Sequence, residues 1–153
     1  MKAIQDHYPP EFAHCYGCGP ANPHGLHLKS YLDDDGTVAM ITPDPMFSGG
    51  VPGNLYGGMI ASLLDCHGTA SAAGFACRAR GRDMDDDLVR FVTASLKVDY
   101  RRPTPIGVEL AIRGRLISLK GRKAIIALTL HAGDDLCAEG EMVAVEFRKP
   151  ARD

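Results

Sequence analysis

Residues 57–75 read GGMIASLLDCHGTASAAGF, and this stretch decides the fold. Apolar and small residues occupy nearly every position, proline is absent, and the large apolar residues recur at helical spacing. A helix that is apolar on all sides has to be buried. We therefore predict one long buried helix that begins at Gly57 and ends near Gly74, because glycine commonly terminates helices.

Strand-like segments flank this helix on both sides and supply a sheet large enough to cover it. Their apolar and polar residues alternate, and Gly- or Asp-rich turns separate them. Two segments precede the helix and four follow it, over residues 26–32, 37–42, 92–100, 108–119, 122–133 and 136–148. This order lacks the βαβ rhythm of parallel sheets. It predicts an α+β fold, with an antiparallel sheet wrapped around one central helix and the last four strands forming a meander.

Length and composition indicate one domain over residues 1–153, with an irregular N-terminal arm up to about residue 25. The 153 residues are 45% hydrophobic and 24% charged, with a net charge of −2. These values are typical of a globular protein and argue against general binding of nucleic acid. No apolar run is long enough to cross a membrane, and no secretory signal is visible. Five cysteines, an odd number, favour reduced thiols and a cytoplasmic location.

Asp65 is the sharpest chemical feature, because a carboxylate inside an apolar helix is costly unless it is compensated. One interpretation is a general base or nucleophile. The structural alternative is a carboxylate that reaches solvent or pairs with a distant arginine. Thr69, four residues further along the helix, and Thr93, at the start of a strand, could support Asp65 with hydroxyls or be ordinary threonines.

Gly57 and Gly58 open the helix and leave its first N–H groups accessible to a ligand. Such groups stabilise developing negative charge, as in an oxyanion hole. Alternatively, the two glycines have a structural role only and allow a tight turn into the helix. Eight residues separate Gly57 from Asp65, which is about 12 Å along a helix axis. That distance is too long for both to act on one carbonyl. A shared site therefore requires a second, antiparallel chain, as in a two-fold dimer.

The cysteines do not form a complete metal-binding motif in the sequence. Cys15 and Cys18 form half of a zinc knuckle, but no second C-x-x-C pair accompanies them. We expect no metal and no cofactor. Cys66 is interpreted as a small packing residue and His67 as a core histidine with its hydrogen bonds satisfied.

Three motifs together resemble the hotdog-fold acyl-CoA thioesterases, particularly the phenylacetate-pathway type. They are CYGCGPANPHGL at 15–26, PGNLYGGMIASLLD at 52–65 and TASLKVDYRRP at 93–103, in the order found in that family. The resemblance implies that Asp65 is the acidic base or nucleophile and that the Gly57 N–H polarises the thioester carbonyl. It also implies that Thr69 and Thr93 are nearby hydroxyls and that Asn22 reaches the site from the arm.

The function that follows is hydrolysis of a small aromatic or medium-chain acyl-CoA by a dimer or a dimer of dimers. Tyr56 and Gly58 are expected at the substrate. Basic pairs could bind the anionic nucleotide of CoA, and they are Arg101–Arg102, Arg122–Lys123 and Arg148–Lys149.

The chain departs from the family pattern at two positions, with Tyr56 in place of a histidine and Gly49 in place of a glutamine. A binding protein of the same fold without catalysis is therefore the main alternative. A hydratase or dehydratase acting on acyl-CoA is a weaker one, because no suitable histidine accompanies Asp65.

Overall fold

The chain folds as one long helix packed against a six-stranded antiparallel sheet, in a computed structural model that describes residues 1–148. The strands run in the order β1-β2-β4-β5-β6-β3. The long helix is α1 (Gly57–Ala79), a short α2 (Met84–Asp87) follows it, and the strands are β1 (Ser30–Leu32), β2 (Thr37–Ile41), β3 (Phe91–Tyr100), β4 (Leu110–Lys120), β5 (Lys123–Ala132) and β6 (Asp135–Glu146). The predicted α+β class is confirmed. Within residues 1–148, no helix is both long and apolar enough to cross a membrane.

Helix α1 is enclosed as its composition predicts, with 16 of its 23 residues buried. Small residues let the sheet approach closely. A Cβ atom on Gly68 would lie 2.6 Å from the Met142 side chain of β6, and one on Gly114 of β4 would lie 2.7 Å from Ser71 Oγ. Glycine on the helix and glycine on the sheet thus produce the close packing between the two layers.

The helix ends later than predicted. Gly74 lies inside α1, where a Cβ atom would come within 3.0 Å of Ile4 Cδ1, so this glycine serves packing. The helix continues to Ala79. Termination instead involves Gly81, whose φ of +62° is the left-handed conformation that glycine adopts readily. Its N–H bonds to the carbonyl of Arg78 at 3.2 Å, as in a Schellman motif.

Two segments differ from the sequence prediction for local reasons. Of residues 26–32, only Ser30–Leu32 are strand. Leu26 and Leu28 instead donate their N–H groups to carbonyls of the N-terminal arm. The runs of arginine and aspartate in residues 76–87 are typical of a solvated loop. The structure instead places the last turn of α1 and the whole of α2 there.

The predicted four-strand meander is wrong, because β3 does not pair with β4. Only β4, β5 and β6 form a meander, while β3 pairs with β6 and β2 takes the place beside β4. Strand β3 is therefore an edge strand. Its alternating apolar residues are only partly covered in the single chain, since Leu96 and Val98 pack against the core while Val92 is 43% exposed and Tyr100 is 54% exposed.

Candidate active site

Asp65 lies at the open side of α1, next to the edge strand β3. Thr93 Oγ1 donates a hydrogen bond to Asp65 Oδ1 at 2.5 Å. A register shift between Thr93 and Ser95 marks a bulge in β3, a device that re-aims side chains at functional sites. The structure thus joins two residues that the sequence singled out separately.

The predicted burial of Asp65 among apolar neighbours is wrong for the protomer. Its side chain is only partly buried, because β3 is an edge strand and leaves this part of α1 uncovered. No basic side chain of the described residues forms a salt bridge with Asp65. The arginine branch of the structural alternative therefore has no support among the described residues. Its other branch, a carboxylate that reaches solvent, is what the single chain shows.

Thr69 does not support the carboxylate. Its hydroxyl donates to backbone carbonyl oxygens of α1, at 3.4 Å from Asp65 O and 3.3 Å from Cys66 O. Such bonding to the preceding turn is common for threonine inside helices. Of the two predicted hydroxyls, only that of Thr93 contacts the Asp65 side chain.

The first N–H groups of α1 are available, as expected. Among the described residues, nothing accepts a hydrogen bond from the N–H of Gly57 or Gly58. The Tyr56 ring folds back over Gly58, where a Cβ atom would lie 2.4 Å from Tyr56 Cε1. Tyr100 of β3 donates its hydroxyl to Gly57 O at 2.8 Å. The helix start is therefore a donor site bordered by two tyrosines.

A cleft of about 250 Å³ opens at this helix start, and Gly57, Ile60, Tyr100, Arg101 and Arg102 line part of it. Arg101 Nε donates to Glu139 at 2.8 Å, and Arg102 Nη1 donates to Asp135 at 3.0 Å. All four side chains are at least one-third exposed. Exposed ion pairs of this kind contribute little to stability.

The other predicted binding residues bond to groups other than Asp65 and the helix start. The Asn22 side chain closes a turn within the arm, donating to His14 O at 3.2 Å and accepting from the His24 N–H at 2.9 Å. No hydrogen bond joins it to the Asp65 side chain in the part of the chain that the structure describes. Arg122 donates to Glu146 O at 2.9 Å, at the far end of the sheet. Lys149 lies outside the described residues.

His67 is a core histidine with both ring nitrogens satisfied, as predicted. Its Nδ1 lies 2.9 Å from Ser30 Oγ and its Nε2 lies 3.1 Å from Thr37 Oγ1. Thr37 Oγ1 in turn lies 2.6 Å from Ser71 Oγ, and Gln5 of the arm bonds to Ser30. Burial lowers the pKa of His67 to about 4, which keeps the ring neutral. His67 therefore holds the arm, β1 and β2 to α1.

Sequence reasoning missed the position of Cys66. Its sulfur is not isolated in the core but lies with those of Cys15 and Cys18, all three within 4.8 Å of one another. In the sequence, only the C-x-x-C pair of Cys15 and Cys18 indicated such a cluster. The third thiol is 48 residues from Cys18, so only the folded chain shows that it joins them.

Comparisons with known proteins give a consistent result. A family model described as the thioesterase superfamily matches residues 52–139. A thioesterase superfamily protein from Shewanella loihica has a solved structure that is 41% identical, with a TM-score of 0.70, and the match covers 92% of this chain and all of that one. The E. coli PaaI protein from the phenylacetic acid degradation operon shares the fold, with a TM-score of 0.65 at 14% identity, over 80% of this chain and 81% of that one. The predicted hotdog fold is confirmed.

Curated relatives match over a shorter region. Acyl-coenzyme A thioesterase THEM4 from Xenopus laevis is 29% identical over 108 residues, which cover 71% of this chain and 43% of that protein. The protein of the same name from Bos taurus is 28% identical over 103 residues, 67% of this chain and 37% of that protein. This chain thus spans less than half the length of the curated relatives it matches.

Proposed function

The chain belongs to the thioesterase superfamily, and on that premise we propose that it hydrolyses an acyl-CoA thioester with Asp65 as the central catalytic group. The observation that carries this proposal is the hydrogen bond from Thr93 to an otherwise unpaired, solvent-reachable Asp65 carboxylate. The bond fixes one carboxylate oxygen, and the other stays open to a water molecule or a substrate carbonyl. A carboxylate in this state can take a proton from water or attack directly.

In the reaction, water oxygen bonds to the carbonyl carbon while Asp65 removes its proton. The carbonyl oxygen gains negative charge, and backbone N–H groups at the start of a helix stabilise it. The C–S bond then breaks, and the CoA thiolate leaves and takes up the proton. If Asp65 attacks instead, an acyl-aspartyl anhydride forms first and water hydrolyses it.

The oxyanion donor comes from a second copy of the chain. Gly57 and Asp65 are about 12 Å apart along the axis of one helix. The Gly57 that acts together with this Asp65 therefore belongs to an antiparallel helix of a second copy. The exposed apolar face and unpaired edge of β3, which runs beside this segment of α1, support a two-fold interface here. We expect a dimer, or a dimer of dimers, in light scattering coupled to size exclusion. A monomer at micromolar concentration would contradict the two-chain site.

A small aromatic or medium-chain acyl group attached to CoA is the proposed substrate, as in the phenylacetate-pathway type. Arg101 and Arg102 border the cleft at Gly57, and this position supports a role for them in binding the phosphates of CoA. Within the dimer, Asn22 of the arm and Tyr56 are proposed to border the acyl group. The cytoplasmic location stays a prediction.

A second function, binding of acyl-CoA without turnover, is favoured by one observation. Tyr56, which stands in place of the family histidine, lays its ring against Gly58 at the helix start. A phenol there changes both the space and the donor offered to the thioester carbonyl. Tight binding of acyl-CoA with no release of thiol would support this alternative.

The decisive experiment measures thiol release from a panel of acyl-CoAs with the wild type and with Asp65→Asn. Asn is nearly isosteric and cannot accept the proton, so turnover should fall at least about 100-fold. Asp34→Asn, an exposed aspartate in the turn between β1 and β2, is the matched control and should keep full activity. Unchanged turnover in Asp65→Asn would remove Asp65 from the mechanism. An inactive wild type that still binds acyl-CoA would favour the second function.

A further inference from the structure

The three-cysteine cluster beside Asp65 has the composition and geometry of a metal site. Cys15 and Cys18 come from the arm, and Cys66 comes from α1, the residue directly after Asp65. We propose that these three thiolates bind one Zn²⁺ ion, which fastens the arm to the catalytic helix, with water in the fourth position. This inference is independent of the proposed hydrolysis.

One pair of sulfurs already lies at the separation that zinc requires. Cys15 Sγ and Cys66 Sγ lie 3.7 Å apart. Tetrahedral zinc with Zn–S bonds of about 2.3 Å places two sulfurs about 3.8 Å apart. All three sulfurs lie within 4.8 Å of one another, so small rotations about the Cα–Cβ bonds close the remaining gap. Soft thiolates of this kind select zinc over the hard cations magnesium and calcium.

The backbone around the cluster is shaped for sulfur. In the C-Y-G-C-G turn, the Gly19 N–H bonds to Cys15 O at 2.8 Å and closes a tight loop around the Cys15 side chain. A Cβ atom on Gly17 would lie 2.3 Å from Cys66 Sγ. Glycine at position 17 is therefore what lets the knuckle turn and the helix thiol meet.

The surroundings also suit an anionic metal complex. Three thiolates and Zn²⁺ carry a net charge of −1, and Arg90 lies within electrostatic reach of Cys18. Arg90 Nη1 and the Tyr8 hydroxyl are buried and have no hydrogen-bond partner among residues 1–148. Tyr8 is only 8% exposed and interacts electrostatically with Cys18 and Cys66. Arg90 lies over the Tyr8 ring, with its Cζ atom 4.6 Å from the ring centroid, so the two side chains contact each other. Arg90 Nη1 and the Tyr8 hydroxyl are then the donors that can bond to an anionic site beside them.

Binding of zinc also balances in protons, because the metal displaces the thiol protons into the solvent when the three sulfurs become its ligands. Reduced cysteines gathered in this way are more typical of metal binding than of a disulfide.

The test titrates the reduced, metal-free chain of 153 residues with Zn²⁺ against a chromophoric chelator. The wild type should bind one equivalent. Cys15→Ser, Cys18→Ser and Cys66→Ser should each weaken binding at least about 100-fold, because losing a ligand costs more than losing an outer-shell partner. Cys77→Ser and Cys137→Ser, buried cysteines outside the cluster, are the matched controls and should bind as tightly as the wild type.

Cobalt substitution of the wild type gives a readout that does not depend on the folding of variants. Co²⁺ should produce thiolate charge-transfer absorption and the intense visible bands of tetrahedral coordination, and Zn²⁺ should abolish both. Circular dichroism checks each variant for folding. The proposal is overturned if the wild type binds no stoichiometric Zn²⁺, if Co²⁺ gives no thiolate band, or if the control variants lose zinc as readily as the cluster variants.

Discussion

Replacing Thr93 by valine tests the hydrogen bond that orients Asp65, because valine keeps the shape of threonine and loses only the hydroxyl. The 2.5 Å distance lies in the range of charge-assisted O–H···O⁻ bonds. Such bonds contribute about 1.5–3 kcal/mol. If this energy is expressed in the transition state, kcat falls by about 10- to 150-fold. KM should change little, because Thr93 positions the carboxylate and does not hold the CoA portion.

The assay is thiol release under saturating and subsaturating acyl-CoA, which separates kcat from KM. Thr93→Ser restores the hydroxyl and should recover most of the activity. In an Asp65→Asn background, Thr93→Val should have little further effect, because the two residues act as one unit. A fully active Thr93→Val, or losses that multiply in the double variant, would refute the positioning role.

Three further predictions concern the fold. Burial lowers the pKa of His67 to about 4, whereas the same ring in the unfolded chain has a pKa of about 6.5. Between about pH 6.5 and pH 4 the unfolded chain therefore binds more protons, and the folded state loses stability as pH falls through this range. The free energy of unfolding is measured by urea titration with a chelator present. Between about pH 7.5 and pH 5 it should fall by about 2 kcal/mol more in the wild type than in His67→Gln. Equal falls in the two proteins would contradict this prediction. Gly68→Ala should destabilise by about 1–3 kcal/mol in the same titration, because its Cβ would overlap Met142; a more stable variant would show that Met142 moves aside. Gly81→Ala should cost about 1 kcal/mol or more because of its positive φ, and a neutral result would argue against the helix end described above.

Some features of this protein were determined by the sequence alone. The long helix, the number of strands and the α+β class follow from periodicity and turn residues, which act over a few positions along the chain. The satisfied core role of His67 was predicted in the same way, and the structure shows its partners. Asp65 and Thr93 were selected by their chemistry and their neighbours in sequence, before any contact between them was known.

Other features were decided only by the tertiary structure, because they depend on which distant segments meet. The place of β3 beside β6 makes it an edge strand, and that position leaves Asp65 partly exposed. Whether a helix glycine serves packing or termination depends on neighbours that are distant in sequence, such as Ile4, which packs against Gly74. The joining of Cys66 to Cys15 and Cys18 has the same origin. Local pattern carries no information on pairings across so many residues, since packing of the whole core selects them.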